Sequence, residues 1–155
     1  MLRPRTSRSA VVLIAALIGG CGGSSSSSHR AAATTPASVS LKQSKLGGVL
    51  AGPRGLTLYL FEADKGTTSS CTGACAKVWP PLLSTGKPQA GAGLNQSALA
   101  TTHRADGGTQ VTYAGHPLYT YAKDGDSGDL YGQGLVQFGA SWYVLSAKGS
   151  KIDAS

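Results

Sequence analysis

The chain has 155 residues, of which 41% are hydrophobic and 22 are glycine, and its formal net charge is +7. This length suits one small domain. Six of the fourteen basic residues precede residue 46, and from there onward eight Lys and Arg stand against seven Asp and Glu. That balance argues against a nucleic-acid-binding domain. The excess of basic residues lies in the N-terminal region, where it favours attraction to a membrane surface.

Residues 1–20 have the layout of a signal peptide, because an arginine-rich start runs into the apolar stretch AVVLIAALI, which is too short to span a bilayer. The stretch ends in Ile18-Gly19-Gly20-Cys21, which resembles the lipobox of bacterial lipoproteins. The resemblance implies that Cys21 becomes the first mature residue and carries a diacylglyceryl group, whose two acyl chains suffice for stable anchoring. The alternative is that Cys21 remains an uncleaved thiol. We expect a protein anchored in the cell membrane by lipid and facing the extracytoplasmic side.

The segment after Cys21, GGSSSSSHRAAATTPAS, shows no hydrophobic period and is typical of a flexible tether. We assign residues 21–45 to the lipidated cysteine and this tether, and residues 46–155 to the folded domain. His29 falls within the tether and is interpreted as solvated.

Two cysteines remain once Cys21 is assigned to the lipid, and an exported chain is predicted to join Cys71 and Cys75 in a disulfide. Their spacing requires the chain to curl, since an extended segment would hold the two Cα atoms beyond the limit of about 7 Å for a bridge. Gly73, inside CTGAC, permits such a turn.

A copper site is the competing interpretation of this pair, because soft thiolate ligands suit Cu(I) and either His103 or His116 could add a nitrogen. Redox use is a related alternative. Covalent haem is disfavoured, because Ala76 stands where the attachment motif requires His, and the three intervening residues do not fit a thioredoxin-type motif.

The chain contains an internal repeat. The hexapeptides YLFEAD (59–64) and YTYAKD (119–124) both read Tyr, any residue, aromatic, any two residues, Asp. The similarity extends upstream, where GVLAGPRGLTLYLF aligns with TQVTYAGHPLYTY, and downstream, where VWPPLL aligns with SWYVLS. We place the repeats at about 48–85 and 109–148, with residues 86–94 as linker. Neither copy, at roughly 40 residues, should fold securely alone.

Period-two alternation predicts strands around both hexapeptides. In the first, Leu58 and Leu60 share one face while Tyr59 and Phe61 share the other, so both faces are apolar and the strand should be buried between layers. The second repeats this arrangement. The one candidate helix is LNQSALATTH, residues 94–103. The sequence therefore predicts a mostly β, small single domain built from two pseudo-symmetric hairpin-containing repeats.

These segments, with CTGACAKVWPPL in the first copy and GHPLYTYAKDGDSGDLYGQG in the second, resemble a family of bacterial secreted repeat lipoproteins defined by the Tyr-x-aromatic-x-x-Asp motif. The resemblance covers residues from about 48 to 148 and implies an architecture without an established activity. One departure is Gly139-Ala140-Ser141, where the family has Gly-Gly before the final Trp. The positions that carry over are Tyr59, Phe61, Asp64, Cys71, Cys75, Trp79, Tyr119, Tyr121, Asp124 and Trp142.

Asp64 and Asp124 each follow a strand and precede a loop rich in small polar residues. We expect both carboxylates to accept hydrogen bonds from loop amides, while the aromatic pairs pack the sheet. The alternative is a ligand-binding groove lined by two Tyr/Asp sets.

The stretch DGDSGD (124–129) supplies three carboxylates, Asp124, Asp126 and Asp129, that could hold Ca²⁺. Leu135 falls where an EF-hand loop requires Glu, so the interpretation we prefer is a solvated Gly/Asp turn.

No catalytic constellation emerges, since neither His103 nor His116 has an obvious nucleophile nearby in the sequence. We expect an envelope lipoprotein with a non-catalytic binding or structural role, no cofactor, no nucleic-acid partner, and contact with the membrane through its lipid. The alternative is an exported copper-binding or redox module that uses Cys71 and Cys75 with a His. The sequence does not identify a protein or small-molecule partner.

Overall fold

The computed structural model describes residues 35–154. The predicted signal peptide, Cys21, His29 and the tether as far as residue 34 lie outside the described residues. No helix among the described residues has the length and apolar character needed to cross a membrane.

The described part of the chain is mostly β, as predicted. It has one short helix, α1 (Ala74–Val78), and two single 3₁₀ turns, Pro53–Gly55 and Gln96–Ala98. The strands are β1 (Ser38–Ser44), β2 (Gly47–Ala51), β3 (Tyr59–Phe61), β4 (Gln89–Ala90), β5 (Leu99–His103), β6 (Thr109–Tyr113), β7 (His116–Pro117), β8 (Val136–Gln137) and β9 (Ala140–Val144).

The strands form three small sheets that reflect the duplication. One sheet has the order β2-β1-β4 and another the order β5-β6-β7, and each contains an antiparallel hairpin, β1–β2 in the first repeat and β5–β6 in the second. The third sheet, β3-β9-β8, joins the repeats, because β9 of the second pairs antiparallel with β3 of the first. The two repeats are therefore parts of one structure and not two separate units.

A pseudo-twofold axis passes between Tyr59 and Tyr119. The amide of Tyr59 donates to the carbonyl of Tyr119 at 2.8 Å, and the amide of Tyr119 donates back to the carbonyl of Tyr59 at 3.0 Å. One residue earlier, the amide of Leu118 donates to Val111 O at 3.0 Å, as the amide of Leu58 donates to the equivalent strand β2. The two hexapeptides thus occupy equivalent places on opposite sides of this axis.

Two apolar clusters lie on the two sides of the hexapeptide strands. Leu58, Leu60 and Leu118 belong to an aliphatic cluster, while Tyr59 and Phe61 belong to a second, aromatic cluster. All five side chains are almost fully buried. The predicted burial of this strand between two layers is confirmed.

The helix predicted for residues 94–103 is wrong. Only Gln96–Ala98 makes a single 3₁₀ turn, and the remainder, Leu99–His103, is strand β5, paired along its length with β6. Thr101 and Thr102 are β-branched and favour a strand, and pairing with the neighbouring β6 outweighs the weak helical pattern.

Two predicted boundaries also need correction. Strand β1 lies inside the segment 21–45 that was interpreted as tether, because Val39 is buried and the strand pairs with β2. The linker 86–94 contains β4, which pairs in parallel with the start of β1. The serine- and lysine-rich composition of β1 conceals the strand, in which Val39 is the one buried residue.

Candidate functional site

The aromatic side chains of the two motifs form one four-ring stack. The rings of Trp79 and Trp142 are stacked with centroids 3.9 Å apart and planes 3° from parallel. Phe61 stacks on Trp142 at 4.1 Å, and Tyr121 stacks on Trp79 at 4.3 Å. Each outer ring therefore covers the tryptophan of the other repeat. None of the four side chains is more than 4% exposed, so the stack is core and not a binding surface.

The first tyrosine of each motif forms a hydrogen bond to the aspartate of the other motif. Tyr59 Oη donates to Asp124 Oδ2 at 2.6 Å, and Tyr119 Oη donates to Asp64 Oδ2 at 2.7 Å. Both tyrosines have 0% exposure. A hydrogen bond to a carboxylate is charge-assisted and satisfies a hydroxyl that would be costly to bury alone. The hexapeptide thus supplies a donor to its counterpart and an acceptor for it.

The remaining oxygen of each carboxylate fastens the loop of its own repeat. Asp64 Oδ1 accepts from the amide of Ser70 at 2.8 Å, and Asp124 Oδ1 accepts from the amide of Tyr131 at 3.0 Å. These are the loop-amide contacts expected from the sequence. Each aspartate therefore links its own loop to the strand of the other repeat.

Burial changes the proton affinities of these groups. It raises the pKa of Tyr59 and of Tyr119 far above the usual value, and the adjacent carboxylates, Asp124 and Asp64, raise them further. Burial also raises the pKa of Asp124, although the hydrogen bonds from Tyr59 and from the amide of Tyr131 work in the opposite direction. The two phenols therefore remain neutral donors throughout the neutral and mildly alkaline range.

We predict that stability decreases at high pH because of these two tyrosines. Their folded-state pKa is raised, so their contribution is complete below the unfolded-state value of about 10 and is lost as the pH rises from there through the folded-state values. The free energy of unfolding should fall by about 1.4 kcal/mol per pH unit for each tyrosine. Denaturant titrations over a series of alkaline pH values measure this slope.

Tyr59→Phe should remove the contribution of one tyrosine to that slope. The matched control is Tyr131→Phe, since Tyr131 is 65% exposed and should leave the slope unchanged. An identical slope for wild type and Tyr59→Phe would contradict the prediction.

The loops that follow the motifs differ between the repeats. The amide of Trp79 donates to Cys75 O at 2.8 Å, and the amide of Trp142 donates to Leu135 O at 2.9 Å, so Leu135 occupies the place of Cys75. In the first repeat, Cys71 and Cys75 form a disulfide with Cα atoms 5.2 Å apart, which confirms the predicted bridge. Trp79 lies fifteen residues after Asp64, whereas Trp142 lies eighteen after Asp124, and the three additional residues of the second repeat contribute to the β8–β9 hairpin. The loop of the first repeat is closed by a disulfide, and the loop of the second repeat is longer and ends in a hairpin.

Arg104 is a buried residue that was not among the functional candidates expected from the sequence. Only 1% of its side chain is exposed. Its guanidinium donates twice to Asp106, at 2.8 Å each, and also to Ser69 Oγ at 2.9 Å, Gln110 Oε1 at 2.7 Å and Cys71 O at 2.7 Å. All five donors are used, and the disulfide loop of the first repeat is thereby fixed to the second.

Ser69 connects this arginine to the motif. Its hydroxyl lies 2.8 Å from Tyr119 Oη. Because the proton of Tyr119 is donated to Asp64, the serine hydroxyl must be the donor in this contact. The buried polar groups therefore form one chain from Asp64 through Tyr119 and Ser69 to Arg104.

The candidate metal ligands are not grouped in the described residues. No three side chains of His, Cys, Asp or Glu within residues 35–154 lie close enough together to hold a metal ion. His103 ends β5 on the surface. Asp129 Oδ2 accepts from the amides of Gly125 and Asp126 at 3.0 and 2.9 Å, which closes the DGDSGD turn internally.

His116 and Asp64 meet at a shallow cleft of about 250 Å³, which Glu62 and Lys151 also line. Lys151 donates to Glu62 at 2.5 Å, so these two charged side chains of the cleft are paired with each other. Tyr59 and Tyr119 do not line this cleft. The predicted alternative, a groove lined by both Tyr/Asp sets, is therefore wrong, because both tyrosines are in the core.

A family profile described as a secreted repeat of unknown function matches residues 40–83 and 100–146, which is more than half of the chain. The chain therefore belongs to this family of secreted repeats, as its motifs suggested, and is an exported protein. Both matches include the hairpin before the motif, so the repeats begin earlier than the positions 48 and 109 predicted from the sequence. No curated protein and no solved structure matches the chain.

Proposed function

We propose that the protein is a lipid-anchored envelope protein whose two-repeat domain has a non-catalytic binding or structural role at the extracytoplasmic face of the membrane. The lipobox-like Ile18-Gly19-Gly20-Cys21 supports the anchor. Membership in a family of secreted repeats supports export.

One observation carries the non-catalytic part of the proposal: the polar groups of the motif are already bonded to each other. Tyr59 and Tyr119 are buried, and their hydroxyls are donated to Asp124 and Asp64. A general acid or base must reach a substrate within hydrogen-bonding distance. Groups committed to the contact between two repeats are suited to stabilising a scaffold and poorly placed for reaction with a ligand.

The copper or redox alternative is less well supported. Cys71 and Cys75 are joined to each other and almost fully buried. Copper would require free thiolates, because the thiolate is the species that binds metal. We therefore propose a structural disulfide and no resident cofactor.

The anchor and the disulfide can be tested together on protein taken from its own membrane. Intact-mass measurement should find the mature chain beginning at a diacylated Cys21, and thiol titration of the unfolded protein should find no free thiol. Cys21→Ser should abolish both processing and lipid attachment. Its matched control, Ser24→Cys in the Cys21→Ser chain, should restore neither.

Two results would overturn the proposal. A wild-type chain released into the medium without lipid would refute the anchor. Stoichiometric copper together with two titratable thiols would instead support the copper module built on Cys71 and Cys75.

A further inference from the structure

The exposed large apolar side chains of the described residues 35–154 all lie in one loop. They are Tyr131, Val136 and Phe138, with exposed fractions of 65%, 74% and 47%. This is the loop that is longer than its counterpart in the first repeat. A concentration of exposed apolar side chains in a single segment is typical of an interaction site.

The backbone at the tip is held in an unfavourable conformation. Phe138 and Gly139 form the two-residue connection between β8 and β9, and both have positive φ, 55° and 91°. This pattern belongs to a type I′ turn, in which Asn-Gly is the preferred sequence. An aromatic residue at positive φ is strained, and such strain concentrates at functional sites. The chain thus carries a phenylalanine where asparagine would fit the turn better.

The hairpin is fixed to the core by Gln137, which lies between the two exposed residues. Trp79 Nε1 donates to Gln137 Oε1 at 2.9 Å, and Trp142 Nε1 donates to Gln137 O at 3.1 Å. Val136 precedes Gln137 on β8 and is 74% exposed, and Phe138 follows it in the turn and is 47% exposed, so neither side chain is buried by this attachment. The tip is therefore preorganised, which lowers the entropy lost on binding.

The surrounding segment contains no formal charge. Residues 130–147 include no Asp, Glu, Lys or Arg. Contact between this segment and an apolar phase would therefore not require the desolvation of an ion, which is the largest cost of placing a protein surface in a bilayer.

The length of chain before the described residues allows such contact with the membrane. Thirteen residues lie between Cys21 and Thr35, and a chain of that length can span at most about 50 Å. A domain of this size has a radius of gyration of about 14 Å. A lipid on Cys21 would therefore hold every face of the domain within reach of the bilayer.

We propose that Val136 and Phe138, at the tip of the β8–β9 hairpin, insert into the interface of the membrane to which the chain is anchored. This inference rests on the proposed lipid anchor. Aromatic side chains favour the headgroup region. Because a lipid anchor would keep the tip at a high local concentration near the bilayer, two apolar side chains suffice for insertion. The hairpin orients the domain on the lipid surface, so that one face always points away from the membrane.

A nitroxide label at the tip tests the insertion. The label is attached to Val136→Cys in the full lipidated chain, reconstituted in vesicles of phosphatidylethanolamine and phosphatidylglycerol. The ratio of its collisions with oxygen to its collisions with a water-soluble nickel chelate should be several-fold higher than for the same label on Thr67→Cys. Thr67 is the matched control because it is exposed in the equivalent loop of the first repeat.

Adding Phe138→Asn to the Val136-labelled chain should lower its collision ratio to the Thr67 value. The substitution should not unfold the domain, since asparagine suits positive φ, and the melting temperature should be unchanged or higher. Equal ratios at positions 136 and 67 in a chain shown by mass to be lipidated would overturn the insertion and leave the anchor intact. A tip that photo-crosslinks to a protein instead of lipid would also overturn it. A chain without lipid on Cys21 would refute the anchor itself, and mass measurement detects that case separately.

Discussion

Trp142→Ala is expected to lower the free energy of unfolding by about 3–5 kcal/mol, the usual cost of removing a large buried aromatic side chain. Trp142 lies inside the four-ring stack, between Phe61 and Trp79, and also contacts Tyr119 edge-on at 5.2 Å. Its loss would open a cavity between the repeats. Because a domain has only about 5–15 kcal/mol of net stability, this one change should consume a large share of it.

Denaturant titration of Trp142→Ala beside Phe138→Ala measures the effect. The exposed Phe138 is the matched control, and its loss should change stability by less than about 1 kcal/mol. The close Trp79–Trp142 pair should also produce a coupled near-ultraviolet dichroism signal that vanishes in Trp142→Ala. Equal stability losses in the two variants would show that the stack does not join the repeats.

Arg104→Met is expected to destabilise the domain by about 2–5 kcal/mol, because it removes the charged donor from the buried acceptors Gln110 Oε1 and Cys71 O, and a buried polar group that loses its partner costs about 1–3 kcal/mol. Methionine preserves much of the side-chain volume but removes the hydrogen bonds that the guanidinium donates to Ser69, Asp106, Gln110 and Cys71 O. Arg104→Lys should fall between methionine and wild type, since an ammonium group has three donors and lacks the planar fork of a guanidinium.

The matched control is Arg54→Met, at an exposed arginine, which should leave stability within about 0.5 kcal/mol of wild type. Thermal and denaturant unfolding of the variants give the comparison. If Arg104→Met were as stable as Arg54→Met, the buried network would contribute nothing net to the fold.

The strand alternation and the loop contacts of the motif could be predicted because they depend on local chemistry. Period two places Tyr59 and Phe61 on one face, and an aspartate after a strand is a natural acceptor for loop amides. The disulfide of Cys71 and Cys75 followed from export and spacing. These features need only residues that are close in the chain.

The hydrogen bonds that Tyr59 and Tyr119 donate to the aspartates of the opposite repeats could not be predicted. It depends on where the pseudo-twofold axis lies, and either copy read alone gives no information about its partner strand. Arg104 was missed for a similar reason: Ser69 and Cys71, which it contacts, are more than thirty residues away. The helix expected at 94–103 failed because pairing with β6 is also a long-range effect.

The features of the β8–β9 tip could not be predicted for the same reason. Phe138 and Gly139 form a turn whose strain shows only in the backbone angles. Nothing in the sequence around Gln137 indicates that it accepts hydrogen bonds from the indoles of Trp79 and Trp142. The extra length of this loop was the one visible sign, and it marked the segment where the two copies differ most.

The reciprocal bonding of Tyr59 with Asp124 and Tyr119 with Asp64 has a consequence for assembly. Each half presents the same donor and the same acceptor, which is the relation found in an isologous homodimer. A chain carrying one half alone should therefore associate with its own copy, at a strength that depends on concentration. Covalent fusion makes that association intramolecular. It also removes the requirement for identical halves, which left one free to gain a disulfide and the other a hairpin.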